Sequence, residues 1–125
     1  MNKEELIELI ESVKIDKEEF TIVSSGALVL RDIYDSAGDL DIAVTEKGLE
    51  QLMNNYKLIK KENGWYTVNE KVECVLNDMN NKREKVGKYY LQDINDYLKF
   101  IKTSSREKDK LRIPIVENYI KTINQ

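Results

Sequence analysis

Two aspartates, Asp39 and Asp41, stand one residue apart in an apolar stretch and could together bind a metal ion. If residues 39–44 form a strand, alternate side chains point to opposite faces, so both carboxylates share one face while the apolar residues enter the core. The chain has no histidine, which leaves carboxylate oxygens as the natural ligands, and these suit Mg²⁺ or Mn²⁺. The sequence therefore predicts a magnesium or manganese site at Asp39 and Asp41.

A small polar turn, Ser24-Ser25-Gly26, precedes this stretch. It follows the apolar run 21–23 and precedes a segment that looks helical. A strand-to-helix turn of small residues leaves backbone N–H groups available at a helix N-terminus, where the dipole favours phosphate. We therefore expect Ser24, Ser25 and Gly26 to bind the phosphates of a nucleotide. Capping of the helix by one serine hydroxyl is the simpler interpretation, and it is compatible with phosphate binding.

The turn and the acidic strand together resemble the nucleotidyltransferase superfamily related to DNA polymerase beta. That family has a Gly-Ser turn, a spacer of about this length and an Asp-apolar-Asp-apolar strand. Here Ser24-Ser25 and Asp39-Leu-Asp41-Ile stand in those places, and the resemblance covers roughly residues 20–120. It implies an enzyme that uses Mg²⁺ or Mn²⁺ to move a nucleoside monophosphate from a nucleoside triphosphate to a hydroxyl group.

The resemblance also implies a third carboxylate on a neighbouring strand, for which Glu73 is the candidate. Val72 and Cys74 alternate onto the apolar face of a predicted strand over 72–76, and Glu73 faces the other way. Relatives usually carry aspartate as this metal ligand and catalytic carboxylate. The longer glutamate would either retune the site or signal that the chemistry has been lost.

A basic segment near the C-terminus extends the resemblance. Residues 97–109 are similar to the helix, short break and Arg-x-Lys-Asp segment of small bacterial nucleotidyltransferases akin to abortive-infection toxins. Where those relatives often have a further acidic residue, this chain has Arg112. The alternative is a solvated helix start with an internal ion pair. The resemblance gives nucleotide-binding roles to four basic residues: Lys99, Lys102, Arg106 and Lys108.

Length and composition favour one domain over residues 1–125, since 41% of the residues are hydrophobic and suffice for a modest core. The net charge of −3 argues against a protein that binds nucleic acid regardless of sequence. No apolar stretch is long enough to span a membrane, and the N-terminus lacks the apolar region of a signal peptide. We therefore expect a cytoplasmic protein.

The apolar patterns predict an α/β protein, and the resemblance implies that it has the nucleotidyltransferase fold, in which helices flank a small mixed β-sheet. Residues 77–88 are polar and predict a mobile loop near the site. Trp65 and Tyr66 either fill the sheet or stack on a base. The expected helices span 3–13, 26–34, 46–54, 91–103 and 106–123, and Thr45 is the expected N-cap of the third. The expected strands span 21–23, 39–44, 56–60, 65–68 and 72–76.

The sequence leaves the acceptor of the reaction open, since a small molecule, an RNA or a protein could supply the hydroxyl group. Two other functions also stay open. One is a catalytically degraded fold that only binds or regulates, which the departures at Ser24, Glu73 and Arg112 favour. The other is the toxin of a toxin–antitoxin pair. Which triphosphate is used, and whether the chain forms a homodimer, are equally open.

Overall fold

The computed structural model describes residues 1–124, apart from the side chain of Asn81. Its described part contains five α-helices and one seven-stranded sheet, so the predicted α/β class is confirmed. The helices are α1 (Lys3–Ser12), α2 (Ser24–Leu30), α3 (Glu46–Asn55), α4 (Ile94–Thr103) and α5 (Glu107–Ile123). The strands are β1 (Phe20–Val23), β2 (Leu40–Val44), β3 (Ile59–Lys60), β4 (Tyr66–Asn69), β5 (Val72–Leu76), β6 (Arg83–Val86) and β7 (Tyr89–Gln92).

The sheet is mixed, with the strand order β3-β4-β5-β2-β1-β7-β6. β2 runs parallel to β5 and antiparallel to β1, while β1 runs parallel to β7. The outer strands are added by antiparallel pairing of β3 with β4, β4 with β5 and β6 with β7. The two parallel pairs are each joined by a connection that contains a helix, as parallel strands require.

Two hydrophobic clusters hold the helices in place. In the larger one, residues of α1 and α3 such as Leu6 and Leu52 pack with sheet residues such as Ile42. In the smaller one, Leu28 of α2 packs with α4 and α5, where Val116 is fully buried. Because α2 contributes to both clusters, it links the sheet to the α4–α5 pair. Within the described residues, no helix is both long and apolar enough to cross a membrane.

The prediction of a mobile loop over 77–88 is wrong. This segment contains a 3₁₀ turn, Met79–Asn81, and the edge strand β6, which pairs with β7. The strand was missed because Arg83–Val86 is charged and carries no buried residue that would mark a core-facing side. Gly87, with φ of +64°, makes the turn into β7. The hairpin lies at the edge of the sheet farthest from β3.

Two predicted helix boundaries are also wrong, for local reasons. The fourth helix begins at Ile94, because residues 89–92 belong to β7 and the Asp93 side chain accepts a hydrogen bond from the Asp96 N–H. The second helix ends at Leu30, and Asp32 has a φ of +63°, which no helix accommodates. The predicted N-cap Thr45 is confirmed, since its hydroxyl accepts from the Gly48 N–H at 3.0 Å.

Candidate functional site

A cleft of about 360 Å³ lies between the sheet and the start of α5, and widely separated parts of the chain line it. Seven of the residues predicted for the site are among its lining: Ser24, Ser25, Asp39, Asp41, Glu73, Arg106 and Lys108. The other lining residues are Ser36, Gly38, Asn63, Trp65, Tyr97, Phe100, Asp109 and Arg112. The structure thus brings together groups that are more than eighty residues apart in the sequence.

The register of the sheet sets the position of the acidic side chains. Asp41 of β2 lies directly opposite Glu73 of β5, and Glu73 lies opposite Thr67 of β4. Residues that pair in this way project from the same face of a sheet. Their neighbours Ile42 and Cys74 point to the other face and are buried. Asp39 precedes β2 by one residue and is exposed at the same cleft.

The carboxyl group of Asp41 carries the electrostatic signature of this cluster. Burial raises its pKa above the usual 3.8, and the nearby charges of Glu73 and Asp39 raise it further. Lys61 and Lys108 act in the opposite direction. Ionisation of Asp41 therefore costs more free energy in the folded protein than in the unfolded chain. A bound cation would reduce that cost.

An ion pair at the rim of the cleft was missed from the sequence. Lys61 Nζ donates a hydrogen bond to Glu73 Oε2 at 2.8 Å. Lys61 follows β3, whose pairing with β4 puts Lys61 on the same face of the sheet as Glu73. The ammonium thus offsets part of the acidic cluster. A metal ion or a proton that approaches Oε2 must therefore compete with the lysine, whereas Oε1 is not used in this pair.

The opposite wall of the cleft is basic and comes from the region of α5. Arg106 occupies the N-cap position without a capping hydrogen bond from its side chain, and Lys108 and Arg112 lie in the first two turns of the helix. Arg106 and Lys108 are exposed, and Arg106 Nε lies 3.9 Å from Asp109 Oδ2, which is the internal ion pair that the alternative interpretation of this segment expected. The cleft is consequently divided by charge, with carboxylates on the sheet side and cations on the helix side.

Arg112 is held by a buried polar network that sequence reasoning did not assign to the site. Its Nη1 donates to the Tyr97 hydroxyl at 3.1 Å and lies 3.8 Å from Asp109 Oδ1. Asp109 is buried and accepts a hydrogen bond from the Ser104 hydroxyl at 2.6 Å. The guanidinium also lies over the ring of Tyr34, 5.1 Å from its centroid. The only sequence signal was an arginine at a position where the family that the chain resembles often has an acidic residue.

Ser24 and Ser25 are the first two residues of α2 and line the cleft, whereas Gly26 is not part of its lining. The interpretation of a serine as the N-cap is wrong, because both serines already lie inside the first turn of the helix. Ser24 has a φ of +60°, an unusual conformation for a non-glycine residue, and its N–H donates weakly to Gln92 Oε1 at 3.4 Å. The side chains of Ser24 and Ser25 line the cleft. Gly26 is buried behind them, and a Cβ there would lie 3.1 Å from Ile22 Cγ2. Gly26 therefore allows α2 to pack closely on β1.

Two predicted lysines, Lys99 and Lys102, are exposed on α4 and are not part of the cleft lining. Lys102 instead lies 3.3 Å from Glu117 of α5 in a surface ion pair. The face of α4 that meets the protein carries Tyr97 and Ile101, which are buried. The structure therefore separates these two lysines from the groups that it brings together.

The carboxylates of the cleft suit a metal ion that is also held by a bound ligand. Across residues 1–124, no three acidic or cysteine side chains lie close enough to form a metal site on their own. Asp39 and Asp41 nevertheless share one cleft, where burial first, and then the charges of Glu73 and Asp39, raise the pKa of Asp41. Mg²⁺ is commonly held by one or two carboxylates together with substrate phosphates and water. The residues present fit that mode of binding.

The comparisons with family models and curated proteins found no match that would assign the site. No protein-family model matches the sequence, and no curated protein matches it either. The assignment of the cleft therefore depends on which side chains converge there and on their charges.

Replacing Asp41 should reveal the electrostatic cost of the cluster. Because Asp41 has a raised pKa in the folded state, its ionisation costs more there than in the unfolded chain. The free energy of unfolding therefore falls as the pH rises from below 3.8 through the raised pKa. Asp41→Asn should therefore match or exceed the wild-type free energy of unfolding at pH 7 without metal, with the advantage fading in acid. Urea unfolding across this pH range measures it, with exposed Asp35→Asn as control. A loss above about 1 kcal/mol at pH 7 would indicate structural hydrogen bonding instead.

Replacing Lys61 should separate its role from that of a neighbouring lysine. Lys61→Gln removes the cation beside Glu73, so we expect tighter binding of Mg²⁺ with a nonhydrolysable triphosphate, measured by calorimetry. The metal-free protein should lose less than about 1 kcal/mol, because the pair is partly exposed. Lys60→Gln is the matched control, since Lys60 lies over Tyr66 on the other face. Equal metal affinity in the two variants would contradict competition by Lys61.

Proposed function

We propose that this chain is a metal-dependent nucleotidyltransferase, which moves a nucleoside monophosphate from a nucleoside triphosphate to a hydroxyl acceptor. One observation carries the proposal: the serine turn, the acidic strand pair and the basic start of α5 converge on a single cleft. Carboxylates facing cations across a cleft suit a ligand that brings both a divalent cation and a polyanion. A triphosphate bound with Mg²⁺ or Mn²⁺ is such a ligand.

In this proposal Asp39 and Asp41 hold the metal ion, and Glu73 is the candidate third ligand once Lys61 releases it. When bound, such an ion neutralises charge on the triphosphate and on the leaving pyrophosphate. Arg106 and Lys108 bind phosphate oxygens from the opposite wall. Charge-assisted hydrogen bonds from these side chains would fix the triphosphate across the cleft.

The remaining lining groups complete the chemistry. The hydroxyls of Ser24 and Ser25 can donate to phosphate oxygens at the cleft floor. The acceptor oxygen forms a bond to the α-phosphorus, while the bond from that phosphorus to the pyrophosphate oxygen breaks. The proton of the acceptor hydroxyl passes to Glu73 or to water. Because the chain contains no histidine, a carboxylate is the natural proton acceptor.

Transfer can be tested with two labels on the same triphosphate. The protein is incubated with Mg²⁺ and cell extract, and each nucleoside triphosphate carries its label on either the α- or the γ-phosphate. We expect the α-label alone to move to an acceptor, since the γ-phosphate leaves in pyrophosphate. Asp39→Asn with Asp41→Asn should abolish transfer, and Asp35→Asn should preserve it. Transfer at the wild-type rate by the double variant would contradict the proposed site.

A nucleotide-binding module without turnover is the second candidate, and the ion pair between Lys61 and Glu73 favours it. In that case the lysine permanently blocks the carboxylate that would accept the proton. The module would bind the metal–triphosphate complex without cleaving it. The two candidates differ at Glu73.

Glu73→Gln distinguishes the two candidates. For the enzyme we expect turnover to fall about 10²–10⁴-fold, since a positioned general base contributes about that much, while triphosphate binding is largely kept. Rates and calorimetric affinities should be measured for the variant, with exposed Glu70→Gln as the control. Wild-type turnover in Glu73→Gln would remove its catalytic role. Binding without turnover in every protein, wild type included, would establish the module.

A further inference from the structure

Two aromatic rings line the charged cleft without belonging to the hydrophobic core. Trp65 precedes β4 and is partly buried, and Phe100 lies on α4 with 55% of its surface exposed. Within residues 1–124, neither ring is a member of either hydrophobic cluster or packs against one. Packing of the core therefore does not explain why aromatic residues stand at these positions.

Phe100 adds an apolar ring to the mostly polar lining of the cleft. Tyr97 is buried, lines the same cleft and lies one turn before Phe100 on α4. Residues three apart are neighbours on a helix surface, so Phe100 lies next to Tyr97, whose hydroxyl accepts the hydrogen bond from Arg112. An apolar ring thus adjoins the basic wall.

Trp65 is presented by a constrained hairpin turn. The Lys61 backbone N–H donates to the Trp65 carbonyl at 2.7 Å, and the Trp65 backbone N–H donates to Asn63 Oδ1 at 3.0 Å. Gly64, with φ of +89°, permits the turn between them. Tyr66 pairs with the buried Cys74, so alternation along the strand places Trp65 on the face that carries Glu73. The indole is therefore fixed on the cleft side of the sheet.

We propose that Trp65 and Phe100 form the nucleobase subsite of the cleft and hold the base by stacking. This inference rests on the proposed function, in which the acidic and basic walls fix the metal ion and the triphosphate. Every base has a π-face, so stacking on aromatic rings tolerates any base, and each ring contributes about 5–150-fold in affinity.

The polar lining offers little to read the edge of the base. Asn63 lies beside Trp65, and its Oδ1 accepts the Trp65 backbone N–H, which uses one of the two lone pairs of that oxygen and holds the amide in the orientation that the turn requires. Bidentate recognition of adenine by asparagine needs both the donor and the acceptor. We therefore expect purine triphosphates to bind more tightly than pyrimidine ones because of their larger rings, with adenine and guanine poorly distinguished.

The chain contains one tryptophan, so fluorescence excited at the long-wavelength edge, where tyrosine hardly absorbs, reports on Trp65. The full chain is titrated in Mg²⁺ with a nonhydrolysable ATP analogue and, separately, with inorganic tripolyphosphate. We expect the analogue to quench the emission and to bind about 5–150-fold more tightly than tripolyphosphate. Tripolyphosphate should bind without comparable quenching.

Variants assign the effect to the rings. Trp65→Leu and Phe100→Leu should each weaken binding of the analogue about 5–150-fold by calorimetry and leave the affinity for tripolyphosphate unchanged. Trp65→Phe, which keeps a π-face, should restore most of the affinity. Tyr90→Leu is the control, because Tyr90 is a partly buried aromatic residue of β7 outside the cleft lining. Melting temperatures verify folding, and the exposed Phe100 carries the test if Trp65→Leu does not fold.

The possible failures are distinguishable. Equal wild-type affinity for the analogue and tripolyphosphate would overturn the base subsite while leaving the metal–triphosphate site intact. Equal loss of both ligands in Trp65→Leu and Phe100→Leu would also overturn it, because the rings would then support the phosphate site. Binding of neither ligand to the wild type would overturn the proposed function and this inference with it.

Discussion

The parallel pairing of β2 with β5 is the constraint on which the cleft depends. Leu40 through Val44 pair residue by residue with Val72 through Leu76, so one face of both strands enters the core and the other carries the acids. A slip of one residue would send Glu73 into the core and expose Cys74 to the cleft. Burial of the apolar side chains on one face thus holds Asp41 and Glu73 together on the other despite their repulsion.

The repulsion between Asp41 and Glu73 shows that the sheet side of the cleft carries an excess of negative charge. The protein alone offsets its acidic cluster only in part, through Lys61 at the rim and the more distant charge of Lys108. The basic wall is held at a separation by α5, whose position depends on Leu28 of α2 packing against Val116 and its neighbours. A ligand that contains both a cation and a polyanion would neutralise the charges of both walls at once. The two walls cannot neutralise each other across this separation.

Local patterns in the sequence predicted most of the elements that have a clear core-facing side, but not β7, whose buried Tyr89 and Leu91 alternate with partly buried residues. The alternation around Asp41 and Glu73 and the cap at Thr45 were sufficient for β2, β5 and the start of α3. β6 was missed because an edge strand with charged residues shows no such side. The pair between Lys61 and Glu73 and the place of Arg112 at the cleft could not be predicted, because they arise only when strands and helices separated in sequence pack together. Likewise, Lys99 and Lys102 match a motif, but the side of α4 on which they lie is set by the burial of Tyr97 and Ile101.

The most direct measurement of the central claim is the melting temperature with Mg²⁺ and a nonhydrolysable nucleoside triphosphate, because a ligand that binds only the folded state stabilises it by mass action. At a ligand concentration of 100 times the Kd the stabilisation is about 2.7 kcal/mol. We expect the melting temperature to rise with this ligand in the wild type and in Asp35→Asn. We expect no rise when Asp39 and Asp41 are both replaced by asparagine. An equal rise in the double variant would contradict a metal–triphosphate site at the two aspartates.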